Sequence, residues 1–264
     1  MNNLLQKVTV GVSTLAVAAV ALATPALAAS TIVVTPTNTQ GWSTADTRPG
    51  GAVNFVSDPT SPYPTGALQL TTDSTTTAKA QYMHADSTPL ADVNSLGYST
   101  KQNSASFVGG DASYQLAVDL NGTATGGFTT FVYEPYENGT VVPNTWQTWD
   151  VAAGQMWSSK SFSDGTCTVV AGGGGAPFYT LAGLKAACPD AVVVGFGVNI
   201  GSNNPSYDVE TDGVTFNGTT YDFEQYATPK TKDDCKDGGY KNLTDSNGQP
   251  FKNQGQCVSY TNHQ

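Results

Sequence analysis

The 264-residue chain has a single arginine, Arg48, and two histidines, His84 and His263. Charged residues make up 12% of it, and 11 Lys plus Arg stand against 21 Asp plus Glu for a formal net charge of −10. A chain without clustered cations cannot neutralise a run of phosphates, so nucleic acid is excluded as a partner. With His263 one residue from the end, His84 alone is left as the base of a serine or cysteine triad, which argues against that chemistry. Glutamate is also scarce: only Glu134, Glu137, Glu210 and Glu224 occur, and no segment carries the Glu-x-Asp-x-x-Glu pattern that one group of sandwich glycosidases uses. The abundance of Thr, Ser, Gly and Asn disfavours long helices and suits strands joined by turns.

One long apolar run exists, and it is N-terminal. Lys7 precedes an apolar stretch from Val8 to Ala23, Pro25 breaks it, and Ala26-Leu27-Ala28 supplies small residues for cleavage. Residues 1–28 therefore read as a signal peptide, too short to stay as a membrane span. Export predicts a secreted, extracellular protein with no membrane association after cleavage, and a mature chain of charge −11. The only four cysteines then read as disulfides rather than metal thiolates or a nucleophile. Spacing favours Cys167 with Cys188 and Cys235 with Cys257, although four cysteines permit three pairings.

Period-two alternation recurs through the middle of the chain and predicts an all-β antiparallel sandwich over residues 30–226. Tyr114, Leu116, Val118 and Leu120 share one face of a strand, and Gln115, Ala117 and Asp119 share the wetter other face. Asn121-Gly122 and Asn217-Gly218 read as tight hairpins. One short helix is expected over 181–187, with Thr180 as its N-cap. Gly172 to Gly175 reads as a surface loop, since a phosphate-cradling role lacks the required lysine. After Glu224 the alternation stops, and residues 227–264 read as a polar linker and a small tail of two helical turns stapled by its own disulfide.

The candidate sites are modest. Trp146 and Trp157, with Tyr133, Tyr136 and Gln147, offer flat apolar faces and polar partners of the kind that hold sugar rings. Alternation places Trp149 in the core and Trp146 outside. Asp208, Asp212 and Asp222 lie around the last hairpin, where hard oxygens could hold a structural calcium ion; no other cofactor is implied. No catalytic residue stands out, although paired carboxylates would leave glycoside cleavage open.

Gly66-Ala67-Leu68-Gln69-Leu70, Trp146-Gln147-Thr148-Trp149-Asp150 and Pro189-Asp190-Ala191, within the stretch from Gly41-Trp42 to Tyr221-Asp222-Phe223-Glu224, resemble secreted bacterial jelly-roll proteins of a concanavalin-like or carbohydrate-binding kind. The stretch from Asp234-Cys235 to Cys257-Val258-Ser259-Tyr260 is similar to a cysteine-bearing module that ends many exported bacterial proteins, with Tyr240 in place of its usual tryptophan. The resemblance implies a jelly-roll sandwich and secretion, and carries no established activity. The reading that follows is a secreted, non-catalytic module for extracellular polysaccharide or cell-wall glycan. The alternatives are a polysaccharide hydrolase or lyase on the same sandwich, and a structural surface or matrix protein whose tryptophans are all buried.

Overall fold

The computed structural model describes residues 30–63, 65–122, 126–165, 167–246 and 249–263. The proposed signal peptide lies outside them. The first sheet holds β1 (Ser30–Val34), β3 (Gly51–Ser57), β4 (Gly66–Thr72), β6 (Leu96–Ser104), β9 (Gln147–Asp150), β15 (Asp208–Phe216) and β16 (Thr219–Phe223). The second runs in the order β13 (Phe178–Thr180), β10 (Gln155–Ser158), β8 (Phe128–Tyr133), β7 (Ser113–Asp119), β14 (Val192–Ile200), β5 (Ala80–Pro89) and β2 (Trp42–Ser43). β11 (Phe162–Asp164) and β12 (Cys167–Val169) form a separate hairpin. Among these pairings only β1 with β16 is parallel. The architecture is an antiparallel jelly-roll sandwich, with the apolar face of each sheet turned toward the other.

Alternation explains the layers. On β7, Tyr114, Leu116 and Val118 are fully buried between the sheets, while Ser113, Gln115 and Ala117 face outward. On β14, Phe196, Val198 and Ile200 point inward and Gly195, Gly197 and Asn199 outward. Trp42, on a strand of two residues, is 3% exposed because it plugs the end of the core among Tyr82, Phe196, Tyr221 and Phe223 at 5.0–5.6 Å between rings.

The first sheet turns on one glycine. β15 pairs with β4 through Asp208 to Thr211, and with β16 through Val214 to Phe216. The change of partner falls at an irregularity between Asp212 and Thr215, where Gly213 has φ +60. A Cβ there would meet the Tyr63 ring at 2.3 Å, so the bulge needs both the left-handed backbone and the missing side chain.

The helix α2 (Leu181–Ala187) forms as its sequence predicts, with the Thr180 hydroxyl accepting from the Gly183 N–H. Asn217 (φ +51) and Gly218 (φ +85) make the tight turn between β15 and β16. Asn121-Gly122 departs from expectation: Leu120 N–H reaches Gly127 O at 2.9 Å, so β7 and β8 are joined by a longer loop rather than a two-residue turn. A one-turn helix, α1 (Pro135–Asn138), and the strands β2, β10, β11, β12 and β13 have no alternation long enough to read in the sequence.

Two disulfides are present, Cys167–Cys188 and Cys235–Cys257. The first ties β12 to the end of α2. The second lies with Phe251 in a small apolar cluster of its own, packed against Tyr240, Leu243, Val258 and Tyr260. That cluster is built on two 3-10 turns and the helix α3 (Gln254–Thr261), capped by the Asn253 side chain. Closing loops of 21 and 22 residues stabilises by roughly 3 kcal/mol each in the chain-entropy account. Among the described residues no helix is long and apolar enough to cross a membrane.

Candidate functional site: a groove on the outer face of the second sheet

The outward residues of the second sheet form the floor of a groove of about 1200 Å3. Strand register sets its layout. Trp157 on β10 lies opposite Val132 on β8, which lies opposite Gln115 on β7, then Gly197 on β14, Met83 on β5 and Ser43 on β2. These six residues form one row across the sheet, spanning roughly 24 Å at about 4.8 Å per strand. Beside it, Thr130, Ala117, Gly195 and Ala85 form a shallow second row of small side chains. Ser113, Asn199 and Gln81 form a third, polar row.

The polar row is internally braced. Gln115 Nε2 donates to Ser113 Oγ at 2.8 Å, Ser113 Oγ to Asn199 O at 3.0 Å, and Asn199 Nδ2 to Gln81 Oε1 at 3.0 Å. These bonds hold the amides in place before anything binds. Each amide and hydroxyl still has capacity left over for a ligand. Cations appear only toward the ends. Arg48 donates to Ser202 Oγ at 3.0 Å, Lys79 is paired with Asp46, and Lys160 sits 5.0 Å over the Phe128 ring. The middle of the groove is therefore uncharged.

One end is aromatic. Trp157 and Tyr136 line the groove there with Phe107, which is half-exposed and packs edge-on against Tyr136 at 5.5 Å. Gly173 and Gly174 form the adjoining wall, and Tyr136 Oη donates to Gly174 O at 3.3 Å. The four-glycine loop lies against Trp157 because it carries no side chains: a Cβ on Gly172 would meet Trp157 Cβ at 2.8 Å. Glu134 follows β8 and enters the same end. Burial pushes its carboxyl up to about 8, while the nearby Trp157 N–H draws it back down. That N–H nonetheless makes no hydrogen bond of normal geometry to any described residue. Asp111, raised to about 7 by burial, also borders the groove but spends its oxygens on Thr100 Oγ1 at 2.6 Å and the Ala112 N–H at 2.8 Å.

The residues singled out in the sequence separate into different places. Trp157 and Tyr136 meet in the groove. Tyr133 is 3% exposed and belongs to the core beside Tyr98, so it has no face to offer. Trp146 is partly exposed but on the opposite sheet, its Nε1 donating to Asp58 Oδ2 at 3.0 Å and its ring 5.4 Å from Lys101 Nζ. Gln147 uses its amide to hold the 140–142 loop, through Val142 N–H and Thr140 O. Trp149 is buried, as alternation predicts.

The three aspartates do not converge. Asp208 accepts from Gln69 and Asn103, and stands four residues, roughly 13 Å of strand, from Asp212. Asp212 is fully buried and takes bonds from Ser61 Oγ and from the N–H groups of Gly213 and Phe223. Asp222 lies near Asp212, but its closest acidic partner is Glu224, which the sequence reading left aside. Among the described residues no group of three or more His, Cys, Asp or Glu is placed to hold a metal ion.

The floor of the groove, by contrast, had no signal in the sequence. Gln81, Met83, Gln115, Thr130 and Asn199 are ordinary outward positions on four different strands, and only the register brings them together.

No family model matches the chain, and no curated protein matches its sequence. Among solved structures it is similar to a family 11 carbohydrate-binding module from Clostridium thermocellum in complex with a β-1,3-1,4-mixed-linked tetrasaccharide. The identity is 10% and the TM-score 0.38, over 70% of this chain and 91% of that one. A second neighbour is the family 11 module of the cellulosomal cellulase Lic26A-Cel5E of the same organism, at 9% identity and TM-score 0.35, over 71% of this chain and 91% of that one.

Proposed function

We propose that the protein is a secreted, non-catalytic module that binds a neutral glycan chain lengthwise in this groove. One observation carries the reading: the fixed amides and hydroxyls of Gln115, Ser113, Asn199 and Gln81 stand on the floor of a groove that is uncharged along its middle and carries the partly exposed Trp157 and Tyr136 at one end. Sugars present both kinds of surface, with hydroxyls around each ring and apolar C–H faces above and below it. The glycines and alanines of the floor let a chain lie close to the backbone.

The non-catalytic part of the reading is supported by the carboxyls. Cleavage by two acids needs them opposed across the scissile bond, roughly 5 to 9.5 Å apart. Here Asp111 spends its oxygens on Thr100 Oγ1 and the Ala112 N–H, and Asp46 is paired with Lys79 at the far end, so neither carboxyl is free to work against Glu134. The reading of a structural protein with all tryptophans buried fits less well, since Trp146 and Trp157 are both partly exposed.

Affinity electrophoresis in gels containing soluble β-glucan, xylan, mannan or glycol chitin tests the proposal. Retardation by at least one polymer, abolished in Trp157→Ala and kept in Trp146→Ala, is the expected result. Mobility unchanged in all four gels would overturn it.

A further inference from the structure

On the outer face of the first sheet, away from the groove, a lysine is enclosed by two carboxyls. Lys101 of β6 stands directly across from Glu210 of β15, and Trp146 lies on its other side, just before β9. Asp58, the first residue after β3, is folded over this row by a loop closed through Asp58 N–H to Thr65 O at 2.9 Å and tied down by the Ser61 hydroxyl on Asp212. Lys101 Nζ touches Asp58 Oδ2 and lies 2.8 Å from Glu210 Oε2. The two carboxyls also share a hydrogen bond, so a proton passes readily between them. Asp58 Oδ1 is turned away from the lysine and accepts the Thr60 N–H at 2.8 Å and the Thr60 hydroxyl at 2.6 Å. Trp146 covers the group, with its Nε1–H on Asp58 Oδ2 at 3.0 Å and its ring 5.4 Å from Nζ. Little water reaches these side chains: Lys101, Asp58 and Glu210 are 15%, 9% and 12% exposed.

We propose that the folded chain joins Lys101 to Asp58 by an amide bond of its own making, with Glu210 as the proton carrier. Nζ attacks Asp58 Cγ and the C–N bond forms. The charge that develops collects on Oδ1, where the two Thr60 donors are already placed to hold it. The bond from Cγ to Oδ2 then breaks, and that oxygen leaves as water. Lys101 enters as an ammonium and gives up two protons, which Glu210 passes to Oδ2. Ammonium and carboxylate thus become an amide and one water, Glu210 ends as it began, and no other reactant is needed.

The unlinked pair rests in its charged form, since the two carboxyls hold the Lys101 ammonium up and Lys101 and Thr60 hold Asp58 down, both against the effect of burial. The reacting amine and acid are the minor form. The bond has to be made only once in each chain, however, and groups fixed in contact reach effective molarities of about 10⁵ M or more. Scarce water favours the neutral form and the loss of water alike. A second contact shows what the site adds. Lys79 touches Asp46 as well, but that carboxyl is 56% exposed, and among the described residues no second carboxyl pairs with Lys79 to carry protons, so this contact stays an ion pair. The amide would clamp the loop between β3 and β4 to a strand 43 positions further on. It lies on the sheet opposite the groove and stands or falls apart from the glycan reading.

Mass spectrometry of the native full chain decides it. After reduction of the disulfides, the protein should weigh one water less than its sequence counted from the observed N-terminus. Trypsin should leave it uncut after Lys101 and release a branched peptide joining the segments of Asp58 and Lys101. Lys101→Arg keeps the cation but has no amine to acylate, and should show the full sequence mass. Glu210→Gln keeps both partners and should lower the linked fraction at least tenfold. A native chain of full sequence mass, cut normally after Lys101, would overturn the proposal whatever the variants do, and so would a loss of water that survives in Lys101→Arg. Linkage in Glu210→Gln equal to that of the native chain would overturn the role given to Glu210.

Discussion

At the end of the last strand, Asp222 and Glu224 form a carboxyl pair whose behaviour sets a measurable stability profile. Both are buried, and Asp222 Oδ1 and Glu224 Oε1 lack hydrogen-bond partners among the described residues. Burial raises Asp222 to about 6 and Glu224 to about 7, the latter helped by the Asp222 charge. The ordinary values are 3.8 and 4.5. A raised acid contributes its stability below the unfolded value and loses it as pH climbs through the folded one. For Glu224 that window runs from pH 4.5 to about 7, and at 1.36 kcal/mol per pH unit the loss is about 3 kcal/mol. The two acids do not add, because ionising one raises the cost of ionising the other.

The perturbation is Glu224→Gln, whose amide N–H can donate to the unpaired Asp222 Oδ1. At pH 8 the variant should be more stable than the native protein by about 3 kcal/mol, or roughly 6 to 12 °C in melting temperature for a domain of this size. At pH 4.5 the two should melt together. Asp111, Asp212 and Glu134 titrate in the same direction, so the native slope alone does not isolate the pair, and the difference between native and variant does. Asp58 works oppositely, since Lys101 and Thr60 hold it well below the usual carboxylate range, but its contribution is lost only in stronger acid. The assay is thermal unfolding by circular dichroism from pH 4.5 to 8.5 in EDTA, so that no bound cation can keep the carboxylates ionised. Parallel melting curves for both proteins across that range would refute the reasoning.

Trp42→Ala should cost roughly 3 to 5 kcal/mol, because its ring closes the end of the core against four aromatic neighbours; denaturant unfolding measures it. Replacing both Cys235 and Cys257 with Ser should dissolve the small cluster around Phe251, read as faster amide exchange confined to residues 233–261, while the sandwich transition keeps its midpoint. Thr180→Ala should cost about 1 kcal/mol through loss of the α2 cap, seen as a lowered urea midpoint at unchanged slope. Trp157→Ala should leave the melting temperature within a few degrees of native while removing glycan retention, which separates a binding role from a packing one.

What could be read from the chain was whatever a single strand or turn carries within itself. Alternation on β7 and β14 assigns their inner faces, because side chains on a strand must take opposite sides. The capping hydroxyl of Thr180 and the left-handed pair Asn217-Gly218 are local chemistry as well, and the even cysteine count made disulfides the expectation. The tertiary structure decided what depends on register. Trp146 and Trp157 are eleven positions apart and look equivalent in sequence, yet they stand on opposite sheets because β9 pairs with β6 and β10 with β8. Glu134 has no partner in the sequence around it, and only the folded end of the groove gives it the burial that raises its carboxyl. Asp222 found its partner in Glu224, two residues on and on the same face, while Asp208 stands at the start of β15, four residues along the strand from Asp212. The groove exists because outward positions of strands distant in sequence fall into rows, and pairing across a sheet is a property of the whole fold.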